Sequence, residues 1–345
     1  MIQNIIKLLK PDLIEVQKII QQQTAQCDSA LLKEILSHTF QVKGKLLRPI
    51  LHLACAHLLE PKDKAPFYKI AAGLEILHTA SLIHDDIIDD GELRRGVQTV
   101  HKKWGLAEAT LLGDWLLSKA FSVITHNNPS DCNPIMSQLT CELVEGQYLE
   151  IEYNNRSSQN LEYLEEQYLK MIDLKTGSIF RAACNFAIAC NNDFTPKQKE
   201  ALNLYATDFG MIFQIVDDLI DFGGNSKKYG KTTGYDFLNG LITLPVMNAI
   251  KFEEKTLDNS PILNAFQKSD NEYLSQNLHS RVHQTDALKI TIQSVENLKV
   301  KSLSHLEVFK DTMGKKILSD LITYTISRVP QEFYMESKLT TNESI

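Results

Sequence analysis

Two acidic clusters, Asp85-Asp86-Ile87-Ile88-Asp89 and Asp217-Asp218-Leu219-Ile220-Asp221, repeat the pattern Asp-Asp-x-x-Asp inside apolar stretches. Carboxylates in such company are costly to bury unless something positive neutralises them. On a helix advancing about 100° per residue, positions i, i+1 and i+4 share one sector, so each triplet forms a single acidic patch. Mg²⁺ prefers oxygen ligands and takes one or two carboxylates, with substrate phosphate completing its shell. Two such patches suit the departure of a diphosphate whose charge the metal stabilises. The apolar residues around them would shelter a carbocation from water. On the same wheel His78 lies about 20° and Ser81 about 40° from Asp85, and Gln214 about 60° from Asp217.

Cations supply the other half of an anion site. In Gly44-Lys45-Leu46-Leu47-Arg48-Pro49, Lys45 and Arg48 stand three apart at an expected helix start, where the dipole also favours anions. Gly91-Glu92-Leu93-Arg94-Arg95-Gly96 follows the first triplet and reads as a flexible loop carrying two arginines, which match phosphate oxygens bidentately. Lys175-Thr176 and Gly230-Lys231-Thr232-Thr233-Gly234 are weaker signals taken singly. His84 and His101, beside these motifs, read as packing or hydrogen-bonding residues. No Ser/His/Asp or Cys/His arrangement suggests a nucleophile.

The elements that must hold these residues read as helices throughout. Only 15 glycines and 10 prolines punctuate 345 residues. Between them apolar side chains recur at helical spacing: Leu51 to Leu59, Ile70 to Ile88, Leu106 to Ile124, Ile135 to Ile151, and Pro196 to Phe222 with Thr195 as N-cap. Asp173-Leu174-Lys175-Thr176-Gly177 interrupts another helix. No strand or hairpin signal and no linker divides the chain, so the expected fold is all-α. It is one bundle of ten or more helices over residues 1–330, with a polar, frayed tail over 331–345. Net charge −7 and pI near 5.8 argue against a general nucleic-acid binder. Six cysteines without CxxC spacing read mostly as buried free thiols, which favours a reducing, cytoplasmic setting. No run approaches the roughly 18 apolar residues of a membrane span, and the N-terminus lacks signal-peptide character.

Taken in order, the motifs GKLLRP (44–49), HTASLIHDDIIDDGELRRG (78–96), LLGDWLL (111–117), KTGSIF (175–180), FQIVDDLIDF (213–222) and GKTTGYD (230–236) resemble those of the trans-isoprenyl diphosphate synthases. These are head-to-tail chain-elongation enzymes, and the resemblance runs from about residue 10 to Arg328. It implies antiparallel helices around a deep cavity, usually in a homodimer. It also implies that Asp85, Asp86, Asp89, Asp217, Asp218 and Asp221 hold three Mg²⁺ on an allylic diphosphate. Arg94, Lys175 and Lys231 would contact that diphosphate, flanked by Thr176 and Gln214. Lys45, Arg48, His78 and Arg95 would bind isopentenyl diphosphate. The chain departs from the family pattern at Gly177, where Ala is common, and at Thr232-Thr233, which replaces a Pro-containing step.

Within that family, residues just ahead of the first acidic motif floor the growing chain, and short-chain members often place an aromatic ring there. Ala80 and Ser81 stand at those positions. The resemblance is therefore to the long-chain members, with all-trans products of about thirty to fifty carbons and transient membrane contact for product release. A deeper floor could come from Leu111, Leu112, Trp115 or the helix from Met136 to Tyr148. The alternatives are a short-chain (farnesyl or geranylgeranyl) synthase, or one subunit of a heteromeric synthase, and a cyclase or head-to-head enzyme of similar fold. A non-catalytic regulatory subunit is a further reading, but such subunits typically lose the acidic motifs.

Overall fold

The computed structural model describes residues 1–42, 44–126, 128–154, 160–223, 241–257 and 259–334. Among them are sixteen α-helices, as the helical recurrence of apolar side chains requires. In chain order they are α1 (Ile2–Leu8), α2 (Lys10–Ala25), α3 (Ala30–Phe40), α4 (Leu47–Ala56), α5 (Ala65–Ile88), α6 (Val100–Lys103), α7 (Leu106–Thr125) and α8 (Cys132–Asn154). They continue with α9 (Leu161–Ile172), α10 (Ser178–Ala189), α11 (Pro196–Asp221), α12 (Leu244–Thr256), α13 (Pro261–Gln267), α14 (Asn271–His283), α15 (Ala287–His305) and α16 (Met313–Ile326). No described helix is long and apolar enough to cross a membrane. The described residues gather into two compact units.

The first unit comprises Met1–Leu139, Ile179–Asn203 and Glu307–Leu321. Its central element is α5, whose Phe67, Ile70, Ala71, Ala72, Leu74, Ile76 and Leu77 are all buried. A helix apolar on every side has to lie inside. Helix α7 packs along it through Ala109, Leu112, Leu116 and Ala120, small and branched side chains that allow close approach. Helix α4 follows Leu46, which takes a left-handed conformation at φ 54° as the N-cap. Lys45 and Arg48 thus stand at a helix start, as their spacing predicts. Thr195 and Gln198 cap α11 reciprocally: Thr195 Oγ1 accepts from Gln198 N at 3.3 Å and Gln198 Oε1 accepts from Thr195 N at 3.0 Å.

One expectation is corrected here. Gly91 to Gly96 is not a flexible loop but leads into an antiparallel ribbon, β1 (Leu93–Arg94) paired with β2 (Val97–Gln98). Arg95 and Gly96 form its turn at φ 53° and 81°, the left-handed pair whose twist matches the strands. Thr99 closes the base, its N–H donating to Glu92 O at 3.0 Å and its Oγ1 to Gly91 O at 2.7 Å. Two-residue strands are too short to leave an alternating pattern, so periodicity missed them.

The second unit comprises Thr140–Ser178, Leu204–Leu306 and Ile322–Ile345. Helix α9 starts at Asn160, whose side chain accepts from Tyr163 N at 2.8 Å. Its far end runs into a π-helical turn, Asp173–Gly177, where the sequence suggested an interruption. Buried charges here are satisfied: Glu253 accepts from Arg281 Nε at 2.6 Å and from Ile262 N at 3.2 Å, and Asp208 from Lys301 at 2.9 Å. At the start of the expected tail, 331–334 are helical and Phe333 is buried against His283 with ring centroids 5.5 Å apart. All six cysteines are free, but only Cys55, Cys132 and Cys184 are buried, fewer than their apolar surroundings suggested. Cys55 and Cys184 bring their Sγ atoms within 3.5 Å.

Candidate active site

In the first unit the last turns of α5 carry His78, Ala80, Ser81, Asp85 and Asp86, and Asp89 caps the helix. The first triplet divides by environment. Asp85 is half-buried and Asp89 exposed, whereas Asp86 is 7% exposed and turned to the ribbon. There Arg94 grips one oxygen of Asp86, with Nε and Nη2 each 2.6 Å from Oδ1. Burial pushes the Asp86 carboxyl above its ordinary range, and Arg94 pulls it back.

Beside this lies a basic cluster. Arg48 Nη1 donates to His78 Nε2 at 3.1 Å, so the His78 ring carries its proton on Nδ1. Burial, then Arg48, Arg95 and Arg94, hold His78 well below the ordinary imidazole range, and it stays neutral. The Arg95 guanidinium lies against Gly44, where an added Cβ would stand 2.9 Å from Nη1. Lys45 is exposed just ahead of α4, and Arg48 also sits 5.3 Å above the Phe180 ring. Three arginines therefore act on one neutral imidazole, with Lys45 exposed nearby in sequence, a basic cluster suited to a polyanion. Adjacent to it is a cavity of about 150 Å³ lined by Gly44, Glu75, Leu82, Asp86 and Arg95 among others.

Glu75 was not anticipated. It is buried one turn before His78, and burial raises its carboxyl against the pull of Arg48 and Arg95. A lone acid in the otherwise apolar run Ile70 to Leu77 was the available signal. His101 Nε2 lies 3.5 Å from Asp90 and His84 Nε2 3.6 Å from Asp114, the polar packing roles their positions suggested.

In the second unit the π-helical turn presents Lys175 and Thr176 toward α11 and α8. Its backbone is closely approached on two sides: a Cβ at Gly210 would stand 2.7 Å from Gly177 Cα, and one at Gly146 2.8 Å from Lys175 Cα. Only glycine permits such crossings. Lys175 Nζ donates to Glu150, and Thr176 Oγ1 to Gln214 Oε1 at 2.8 Å. Gln214 Nε2 donates in turn to Asp218 Oδ1 at 2.9 Å, while the Tyr168 hydroxyl donates to Asp218 Oδ2.

The second triplet thus divides as the first does, with its middle acid buried and hydrogen-bonded. Asp217 is partly exposed and accepts from Arg328 Nη2, which also stacks 5.2 Å over Phe213. Asp221 is half-buried. Tyr168, Glu150 and Arg328 came from distant segments that no local spacing connects. Lys231, with the rest of 230–236, lies outside the described residues.

Among the described residues no three His, Cys, Asp or Glu side chains converge into a ready-made metal cage. The donor set still fits Mg²⁺, which keeps waters and shares its shell with substrate phosphate, needing only one or two carboxylates from the protein. Asp85 and Asp89, a turn apart at the end of α5, are carboxylates of that kind.

Residues 29–282 match the Polyprenyl synthetase family profile. The chain is 31% identical over 307 residues to heptaprenyl diphosphate synthase component 2 of Bacillus subtilis, covering 88% of this chain and 84% of that one. It is 33% identical over 317 residues to a geranylgeranyl diphosphate synthase of Saccharolobus solfataricus, covering 86% and 90%. The fold superposes on the crystal structure of a Caulobacter crescentus polyprenyl synthase complexed with calcium and isoprenyl diphosphate. There the TM-score is 0.84 at 28% identity, over 96% of this chain and 98% of that one. An all-helical scaffold, paired aspartate triplets and basic clusters beside them agree with these likenesses, and the chain belongs to the polyprenyl synthetase family, a prenyltransferase that condenses prenyl diphosphates.

Proposed function

We propose that this chain extends an allylic diphosphate head-to-tail with isopentenyl diphosphate to an all-trans product of about thirty to fifty carbons, using Mg²⁺. Ala80 and Ser81 carry the long-chain part. Ala80 presents only a methyl group, and Ser81 turns its hydroxyl back to His78 O at 2.9 Å, so neither raises a ring beside the first triplet. Similarity alone leaves length open, since relatives at comparable identity include heptaprenyl and geranylgeranyl synthases.

Asp85, Asp89, Asp217 and Asp221, half-buried or exposed, are the carboxylates for Mg²⁺, and Asp86 and Asp218 are the buried members of their triplets. Mg²⁺ when bound would stabilise charge on the leaving diphosphate. Arg94, Lys175 and Lys231 bind that diphosphate; the first two now pair with Asp86 and Glu150, so substrate oxygens replace carboxylates as their partners. Lys45, Arg48, His78 and Arg95 bind isopentenyl diphosphate, His78 as a neutral donor. Apolar neighbours exclude water from the cation, and no side chain acts as nucleophile.

The family likeness over nearly the whole chain supports residues 1–330 acting as one catalytic domain. A homodimer is supported by apolar side chains that α7 leaves outside, Leu106, Leu111 and Phe121, with Leu111 67% exposed. That exposure also removes Leu111 as an internal floor within one protomer, while buried Leu112 keeps that possibility. The free thiols favour a cytoplasmic setting. A second reading, one subunit of a heteromeric synthase, is favoured by the Bacillus relative being named a component.

The test is incubation of the purified chain with labelled isopentenyl diphosphate, an allylic diphosphate and Mg²⁺, followed by chromatography of dephosphorylated products. Products ending at about fifteen or twenty carbons would overturn the long-chain reading. Turnover only after adding a second polypeptide would establish the heteromeric one.

A further inference from the structure

Tyr168 takes no part in the chemistry above, yet it is fully buried in α9 with its hydroxyl on Asp218. Asp218 is 1% exposed, and a carboxylate at that depth needs donors. Two are supplied from different helices: the Tyr168 hydroxyl to Oδ2, and Gln214 Nε2 to Oδ1 at 2.9 Å. Bonds to both oxygens fix where the carboxylate sits and how it is rotated. Asp218 is the covalent neighbour of Asp217 and lies one turn before Asp221, so holding it holds the end of α11. The same chain of bonds continues from Gln214 to Thr176 at 2.8 Å, beside Lys175.

We propose that Tyr168 is a positioning residue. Through Asp218 it sets the direction in which Asp217 and Asp221 present their carboxylates, and through Gln214 it ties that direction to the Lys175 turn. The inference rests on the assignment of Mg²⁺ to Asp217 and Asp221. Groups that orient metal ligands from behind typically change metal affinity or activity by about 10–100-fold when removed. A hydroxyl deletion that merely loosened packing would have no reason to act on one substrate alone.

The experiment compares Tyr168→Phe, Asp218→Asn, their double variant and Asp217→Asn. It reads the Mg²⁺ concentration at half-maximal binding of an unreactive allylic thiolodiphosphate by calorimetry, and KM for isopentenyl diphosphate. Tyr168→Phe is expected to raise the Mg²⁺ midpoint about tenfold, to leave KM for isopentenyl diphosphate within about twofold, and to add nothing to Asp218→Asn. A midpoint unmoved by Tyr168→Phe but raised by Asp217→Asn would overturn the positioning role and leave the metal assignment standing, as would full additivity of the double variant. A midpoint unmoved by Asp217→Asn as well would overturn the metal assignment and this inference with it. Asp218→Asn keeps the shape and one acceptor, so it reads the same bonds from the other side if Tyr168→Phe does not fold.

Discussion

His52 Nδ1 donates a hydrogen bond to the carbonyl oxygen of Ala183 at 2.8 Å, joining α4 to α10 inside the first unit. The ring is buried four residues after Arg48, on the same face of the helix that begins the basic cluster. Burial lowers its pKa from 6.5 to about 4, against the opposing effect of its backbone hydrogen bonds.

That relationship makes stability depend on pH. Between the two pKa values the unfolded chain binds a proton that the folded chain refuses, so stability rises with pH through this window. It is fully present above about pH 6.5 and is lost as pH falls toward about 4. Urea unfolding at about pH 7 and about pH 5 should differ by about 2 kcal/mol on account of His52. The difference should shrink in His52→Asn; an equal slope in that variant would reassign the dependence to other groups.

Asp85→Ala removes a half-buried carboxylate from the first triplet while leaving the Arg48–His78 cluster intact. Turnover should fall by orders of magnitude, with isopentenyl diphosphate binding changed little. Steady-state rates and a calorimetric titration check both halves. Wild-type turnover would sink the metal assignment of that residue.

Ala80→Phe places a ring where Ala80 is 2% exposed, so neighbours must move at a cost of about 1–3 kcal/mol. The product should shorten while turnover persists. Chromatography of the dephosphorylated products decides it, and an unchanged length distribution would refute the placement of the hydrocarbon path below Asp85.

Gly210→Ala drives a methyl group toward backbone, 2.7 Å from Gly177 Cα, with no flexible side chain to yield. The variant should lose about 1–3 kcal/mol of stability, and its kcat should fall because the Lys175 turn is displaced. Melting temperature and kcat equal to those of the parent would show that the crossing can relax.

Much of the site was legible because it is local. Asp85, Asp86, His78 and Ser81 belong to one helix that Asp89 caps, and a wheel drawn from the sequence gathers them in one sector. The helix start at Lys45 and Arg48, the interruption at Lys175 and the cap at Thr195 are likewise short-range matters. What the wheel could not tell is which acid of each triplet turns inward. Asp86 and Asp218 are distinguished by Arg94 and Tyr168, and the second of these partners lies on another helix. Arg328 and Glu150 were hidden for the same reason, since tertiary pairing leaves no spacing to read. The ribbon was missed because two residues per strand carry no period, and buried Phe333 because the polar segment around it shows no helical run of apolar side chains.

That ribbon decides how two adjacent arginines are divided. Arg94 and Arg95 are consecutive, yet one reaches Asp86 and the other lies against Gly44, because Arg94 ends the strand while Arg95 takes the left-handed first position of the turn. A single hairpin of fixed length therefore deals one arginine to the first acidic triplet and one to the loop at Gly44. Shifting the turn by a single residue would take Arg95 out of the left-handed position and redirect its guanidinium, while leaving composition and charge almost untouched. How the two arginines are shared out is in this sense a matter of phase, fixed by which of them occupies the corner of the hairpin.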